Sequence, residues 1–223
     1  MATLADVYTE TRAHLADVAA EVWTDGVLLP FTNRAYRTCA RYLRSKDTGI
    51  FRRESAPISV ATTDVGLART AVTNYPTYLT AAPLLLRPIE IREALSGGSA
   101  TWTAMRSSDG FMPIDAKVAP LEIWDWRNDR IIFPSHTAGT VLLQILYDAD
   151  LTEFTSATSS GQTVAIPDAL DALALMTASF VAKSRDEKGI SEMFKAEATA
   201  DLDLIARAEA AVKKAAGARW GTQ

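Results

Sequence analysis

Apolar residues recur at helical spacing in two segments near the start of the chain and two near its end. From Leu4 to Val22, apolar positions return every three or four residues, which predicts a helix with one buried face. A second helix is predicted over residues 27–44, where Pro30 either starts the regular part or kinks the first turns. Between these helices, Trp23-Thr24-Asp25-Gly26 offers two good N-cap residues and predicts a break.

The two C-terminal segments predict a helical hairpin over residues 166–216. Pro167 is expected at the first helical position, where its missing N–H costs nothing. Gly189 is expected to end the first helix of the pair. The second is predicted over residues 191–216, with an apolar stripe made of Phe194, Ala198, Leu202, Ile205 and Val212. Two long helices joined by a short turn lie antiparallel, and another layer must cover their apolar stripes.

The central region changes to short alternating runs typical of strands. The predicted strands are Ile58–Ala61, Ile89–Arg92, Ala100–Met105, Leu121–Trp126, Arg130–Phe133 and Thr140–Tyr147. Asn128-Asp129 predicts a hairpin turn between the fourth and fifth of these runs. The last run is apolar on both faces apart from Gln144, which predicts a central strand.

The predicted fold is therefore α+β, a four-helix framework with an inserted small antiparallel β module. Two N-terminal helices and a C-terminal helical hairpin form the framework. By residue number, the N-terminal helices occupy 1–49, the β module 50–150, the hairpin 151–216 and a short docking tail 217–223.

Composition argues against several classes of protein. A net charge of −4 over 223 residues is unlike a dedicated nucleic-acid binder, which needs clustered cations. Apolar runs are too short to predict a membrane-spanning helix, and the N-terminus lacks the features of a signal peptide. The single cysteine, Cys39, excludes a disulfide within the chain; it is expected to be a buried, inert thiol.

The sequence contains one candidate for catalytic chemistry. His14 lies near the apolar edge of the first predicted helix and is expected to be structural. His136 follows Pro134-Ser135 in a loop, with no second His, no Cys and no close carboxylate cluster at metal-ligand spacing. Asp125 and Asp129, within the patch Trp124–Asp129, could act as paired carboxylates on a sugar stacked on tryptophan. Against this, Asp129 is a turn residue and the tryptophans fit a packed strand end. We therefore predict no catalytic residue, no metal and no cofactor.

Positive charge is concentrated in two places. Four arginines share one face of the second predicted helix: Arg34, Arg37, Arg41 and Arg44. They form either a solvated face or a surface for an acidic partner. The second place is the C-terminal end, with Lys213, Lys214, Arg219 and Trp220. Gly217 is expected to end the helix there, leaving either a dispensable terminus or a docking tail anchored by Trp and Arg.

The order of several motifs resembles head–tail adaptor (connector) proteins of tailed bacteriophages. Their opening, W-x-D…L-x-x-x-x-N-x-A-Y, is matched by Trp23, Asp25, Leu28, Asn33, Ala35 and Tyr36. The runs Asn74–Arg92 and Trp126–Tyr147 are similar to the β insertion of that family. Ile166-Pro167, followed by a helical pair, is similar to its C-terminal half. The resemblance covers nearly the whole chain, and the order of the motifs carries it.

This resemblance implies a structural virion protein of the neck, made in the host cytoplasm, with no enzymatic activity. Such proteins form a dodecameric ring below the portal, extend the DNA channel and receive a tail, nozzle or stopper protein. The implied partners are the portal protein and neighbouring subunits, while DNA passes without sequence-specific binding and no membrane is involved. Their C-terminal tails typically dock into the portal, and Arg219-Trp220 occupies the matching place. Two alternatives stay open: a hydrolytic or carbohydrate-binding virion protein using Trp124–Asp129, and a tail-completion ring protein.

Overall fold

The computed structural model describes residues 2–60, 66–68, 85–95, 101–108, 122–127, 130–132, 141–155 and 162–220. The chain divides into two compact units, one formed by residues 1–50 with 153–223 and the other by residues 51–152. The first, the helical unit, contains α1 (Leu4–His14), α2 (Asp25–Ser45), α3 (Leu170–Ser184) and α4 (Lys188–Trp220). The second is the β unit. The predicted α+β class, with two N-terminal helices and a C-terminal helical pair, is confirmed.

Helix α3 is the centre of the helical unit. It packs against α1, α2 and α4, and every side chain from Ala172 to Ser179 is buried. No charged residue occurs between Asp171 and Lys183, and a helix that is apolar all round is stable only when it is covered all round. The buried hydroxyl of Ser179 donates to the Ser191 carbonyl at 2.9 Å, which joins α3 to α4. The N-terminal helices therefore provide the covering layer that the hairpin needs.

Helix α1 is shorter than its apolar pattern predicted. It ends at His14, Ala16 has a positive φ of 56°, and Val18 and Val22 are 81% and 64% exposed. The Asp17 carboxylate accepts backbone N–H groups of the following residues, including that of Trp23 at 2.7 Å. These hydrogen bonds lower the pKa of Asp17, the bond from Trp23 most. An aspartate that satisfies nearby backbone groups in this way favours a loop over a continued helix.

The turn between α3 and α4 differs from its prediction. Gly189 lies in the first turn of α4 and does not end α3. The left-handed residue in the connection is Asp186, with a φ of 60°. Aspartate is one of the few non-glycine residues enriched in that conformation, so the glycine is not needed there.

The start of α3 and the end of α4 also differ from prediction. Pro167 precedes the helix, Asp168 has a φ of 55° and α3 begins at Leu170. At the other end, α4 continues through Gly217 to Trp220, so the predicted helix end at Ala216 is wrong. One glycine costs a helix only about 1 kcal/mol relative to alanine, and the alanine-rich surroundings favour continuation.

In the β unit, the described strands form two sheets. One has the order β1-β9-β4-β5, with β2 also paired to β9, and the other has the order β3-β8-β7-β6. The strands of the first sheet are β1 (Arg52–Glu54), β2 (Ile58–Val60), β4 (Leu85–Leu95), β5 (Thr103–Ala104) and β9 (Val141–Ala149). Those of the second are β3 (Gly66–Ala68), β6 (Arg106–Ser107), β7 (Ile123–Arg127) and β8 (Arg130–Ile132). The predicted central position of the last strand is confirmed in β9, which has partners on both sides.

Strand pairing in the β unit is antiparallel in all described pairs except β6 with β7, which run parallel. Arg127 faces Arg130, which confirms the hairpin predicted between β7 and β8. One buried apolar cluster draws on both sheets, including Ile91, Leu143 and Trp124.

Candidate functional site: surfaces of the helical unit

The first two motif residues that carry the family resemblance join α1 to α2. The Arg12 side chain donates from Nε to the Trp23 carbonyl at 2.8 Å. It also forms an ion pair with the Asp25 carboxylate at the start of α2. The Trp23 ring meets Phe31 edge-on, with centroids 6.4 Å apart. The W-x-D part of the motif therefore fixes the angle at which the chain enters α2.

Two later motif residues fasten α2 to the segment that returns from the β unit. The Asn33 side chain donates to the Phe154 carbonyl and accepts from the Phe154 N–H, both at 2.9 Å. The Tyr36 ring stacks on Phe154 with centroids 4.9 Å apart, and its hydroxyl accepts the Ala165 N–H at 3.0 Å. These contacts hold α2 in place and so position the arginines on its outer side.

The four arginines of α2 do not share one environment. The Arg34 guanidinium lies 4.4 Å from the centroid of the Phe180 ring of α3, a cation–π distance. Arg37 forms an ion pair with Glu153, and both side chains are about half exposed. Arg41 is exposed and has no partner among the described residues, whereas Arg44 is partly buried. The exposed set, Arg34, Arg37 and Arg41, is called the basic face below.

A groove of about 330 Å³ lies between the start of α3 and the middle of α4. It is lined by Pro167, Asp168, Asp171, Asp201, Leu204, Ile205, Ala208 and Glu209. We call it the acidic groove, since four carboxylates and no cation are among its described lining residues. Its five α4 residues recur at i, i+3, i+4, i+7 and i+8, which is one face of a helix. Among these residues Leu204 is a large apolar side chain that is 61% exposed.

Sequence reasoning missed the acidic groove. It assigned Ile205 to the buried stripe of the hairpin, whereas Ile205 lines the groove and is only partly buried. The signal was present in the regular spacing of acidic and apolar residues from Asp201 to Glu209. Within the described residues, no group of three or more His, Cys, Asp or Glu side chains is arranged to hold a metal ion.

Another acidic residue of α4 is neutralised inside the chain. Asp203 accepts the Tyr42 hydroxyl at 2.7 Å and lies 3.3 Å from the Lys46 ammonium, both from the end of α2. The Tyr42 hydrogen bond, followed by that of Lys46, lowers the pKa of Asp203. The groove differs in this respect, because a cation balances Asp203 and none is among the described residues that line the groove.

The described side chains of α4 beyond Leu202 are not buried. Leu202 is the last buried side chain, and none of the described side chains from Asp203 to Val212 is buried. Val212 is 65% exposed, so its predicted place in the buried stripe is wrong. The predicted docking residues Lys213, Lys214, Arg219 and Trp220 belong to the last turns of this helix. Their side chains, and residues 221–223, lie outside the described part.

Trp124, Asp125 and His14 are among the described residues considered for catalysis or ligand binding. Trp124 is only 6% exposed and belongs to the β-unit core, so it does not form a sugar platform. The Asp125 carboxylate accepts the backbone N–H of Trp126 at 2.8 Å. Asp129 and His136 lie outside the described residues, and the exposed His14 ring contacts the Phe194 ring at 5.7 Å.

Cys39 is fully buried, as predicted. Burial raises the pKa of its thiol to about 12.

Among the described residues, no helix has the length and apolar character needed to cross a membrane.

The sequence matches no protein-family model, and no curated protein is significantly similar to it. A functional assignment therefore depends on the surfaces of the helical unit and on the motifs that shape them.

Proposed function

We propose that this protein is a head–tail adaptor of a tailed bacteriophage. As a structural virion protein, it forms a dodecameric ring below the portal, extends the DNA channel and presents a surface for the tail, nozzle or stopper. The observation that carries the proposal is the use made of the motif residues. Asp25, Asn33 and Tyr36 make the contacts that join the separate parts of the helical unit. A family-wide motif would consist of residues of this kind, because the framework needs them at fixed spacing.

The C-terminal helix supports the proposed portal contact. Helix α4 has 33 residues and its antiparallel partner α3 has 15, so α4 outruns α3 by about 27 Å. A helix of that length, with no buried side chain among its described residues beyond Leu202, is available to a partner. Lys213, Lys214, Arg219 and Trp220 follow in this segment, and Trp and Arg are favoured anchors in protein interfaces.

The charge of the molecule is compatible with a DNA channel. A net charge of −4 does not favour tight binding of passing DNA, because affinity for phosphates depends on clustered cations. No catalytic residue, metal or cofactor takes part in the proposed role.

Decoration of portal rings tests the proposal. Portal protein from the same phage genome would be mixed with the full chain and with a variant lacking residues 218–223, and imaged by negative stain. We expect the full chain to add a ring below the portal. The truncated variant should keep its circular dichroism spectrum and melting temperature but lose stable portal binding, because the deleted residues include the tryptophan anchor.

A third variant, with residues 218–223 replaced by six Gly and Ser residues, separates the chemistry of the tail from its length. Portals that stay bare with the full chain would contradict the proposed function. Equal decoration by full and truncated chains would leave the function standing but make another face of the α3–α4 hairpin the docking element.

A further inference from the structure

We propose that neighbouring copies of this chain bind head to tail, with the basic face of α2 on one copy seated on the acidic groove of the next. The inference rests on the proposed function and names the contact between its subunits. Its occupant is a second copy because one chain carries two surfaces of opposite charge.

The acidic groove has the composition of an unfilled interface. Its carboxylates are Asp168, Asp171, Asp201 and Glu209. Leu204 lies among them, 61% exposed. An exposed apolar side chain among charged ones is the usual composition of a docking surface. Because no cation is among the described residues that line the groove, its charge is available to balance a cationic partner.

The basic face has the matching composition. After Asp25 at its first position, α2 contains four arginines and no acidic residue. Arg41 has no partner among the described residues, and the Arg37–Glu153 pair is half exposed and so easily exchanged. Arginine also suits a groove with an apolar floor. Its methylene stem covers apolar surface while its guanidinium binds a carboxylate in a two-pronged contact.

The two surfaces can act at the same time. Asp203 connects α4 to the end of α2, whereas the groove residues repeat at helical spacing from Asp201 and occupy a different face of α4. A two-fold contact of groove with groove would bring eight carboxylates together and is disfavoured. A contact between two different surfaces repeats from copy to copy and closes into a ring when the rotation allows.

Charge reversal on either surface tests the inference. One variant carries Asp201→Lys and Glu209→Lys in the groove, and the other carries Arg37→Glu and Arg41→Glu on the basic face. Sedimentation velocity of the isolated chain, up to ~1 mM protein at low salt, would measure self-association. We expect concentration-dependent association of the unmodified chain. Each variant alone should associate at least about tenfold more weakly, because like charges then face each other.

Mixing distinguishes this contact from general loss of structure. An equimolar mixture of the two variants should recover association, since each contact between a copy of one variant and a copy of the other again joins opposite charges. A single chain carrying all four substitutions should recover it as well. The control is Glu21→Lys with Glu192→Lys, two exposed acidic residues outside both surfaces. This control changes the net charge by the same amount as the groove variant. Unlike the groove variant, it should not weaken association.

Three results would overturn the inference: no association of the unmodified chain at ~1 mM, a mixture that stays monomeric, or an equal loss in the control. Portal decoration by the unmodified chain is a separate readout. If decoration succeeds while the mixture fails, the head-to-tail contact is wrong and the adaptor role stands. If the mixture recovers association but portals stay bare, the contact stands without that role.

Discussion

Asn33 illustrates how one polar side chain can join segments that are distant in the sequence. It is 9% exposed, and its amide satisfies both backbone groups of Phe154, a residue 121 positions further along the chain. Neither backbone group has water as a ready alternative, so the pairing matters more than a surface hydrogen bond would. The same residue belongs to the motif on which the resemblance to head–tail adaptors was based. A structural reason thus accounts for its place in the motif, with no catalytic role required.

Replacing Asn33 by alanine should destabilise the protein by about 2–4 kcal/mol, since a buried N–H and a buried carbonyl lose their partners. Urea denaturation, followed by circular dichroism, would measure the change. Thr38→Ala on the same helix is the control, because the Thr38 hydroxyl bonds only to the carbonyl of Arg34 one turn earlier. We expect that control to stay within about 0.5 kcal/mol of the parent protein. An Asn33→Ala midpoint equal to that of the control would contradict the role given to this side chain.

Cys39 should report on unfolding, because only the thiolate reacts with thiol reagents. Burial raises the pKa of Cys39 from 9.0 to about 12. The stability linked to this thiol is fully present below pH 9.0 and declines up to about pH 12, since the unfolded chain releases the proton first. At pH 8 we expect Cys39 to resist alkylation until denaturant unfolds the chain. In a Glu192→Cys variant the added exposed thiol should react at once, and equally fast reaction of Cys39 would disprove its burial.

At the scale of elements, the apolar pattern predicted which helices exist more reliably than where they end. α2 and the buried residues Phe194, Ala198 and Leu202 of α4 follow the expected spacing. The helix ends depend on local side-chain hydrogen bonds and turn conformations, which the spacing of apolar residues does not reveal. Asp17 ended the first helical run early by accepting backbone N–H groups, and Asp186 supplied the left-handed turn expected from Gly189.

The far half of α4 should contribute little to stability. No described side chain from Asp203 to Val212 is buried, so deleting residues 211–223 should cost less than about 1 kcal/mol. Leu202→Ala, at a fully buried position, should cost about 2–5 kcal/mol. Chemical denaturation of both variants gives the comparison, and hydrogen exchange should be fast beyond residue 205. Strong destabilisation by the deletion would mean that the end of α4 packs on its own chain.

At the scale of the whole molecule, the alternation of helix and strand patterns was enough to predict the α+β class. The acidic groove could not be predicted in the same way, because it needs Pro167–Asp171 and Asp201–Glu209 side by side. That neighbourhood depends on the register of the α3–α4 hairpin. From the sequence, α3 was expected to start at Pro167 and the turn to lie at Gly189. An error of a few residues at either end changes which faces of α3 and α4 are expected to meet. Leu204, exposed in the groove, was therefore not recognised as a surface residue with a role.

The same surfaces predict that the free protein is monomeric at micromolar concentration. Exposed ion pairs contribute about 0.2–1 kcal/mol each. Three arginines on the basic face, together with partial burial of Leu204, therefore give a favourable association free energy of ~4 kcal/mol. That value corresponds to a millimolar dissociation constant. Under the proposed function, copies held side by side on a portal ring would experience an effective concentration in about that range, so weak contacts would suffice there. Light scattering at ~10 µM should give the mass of one chain, since that concentration is far below ~1 mM. A stable dodecamer of free subunits would contradict this prediction, because it would require much stronger lateral contacts. In the proposed function, the ring would then assemble before it binds the portal and not on the portal.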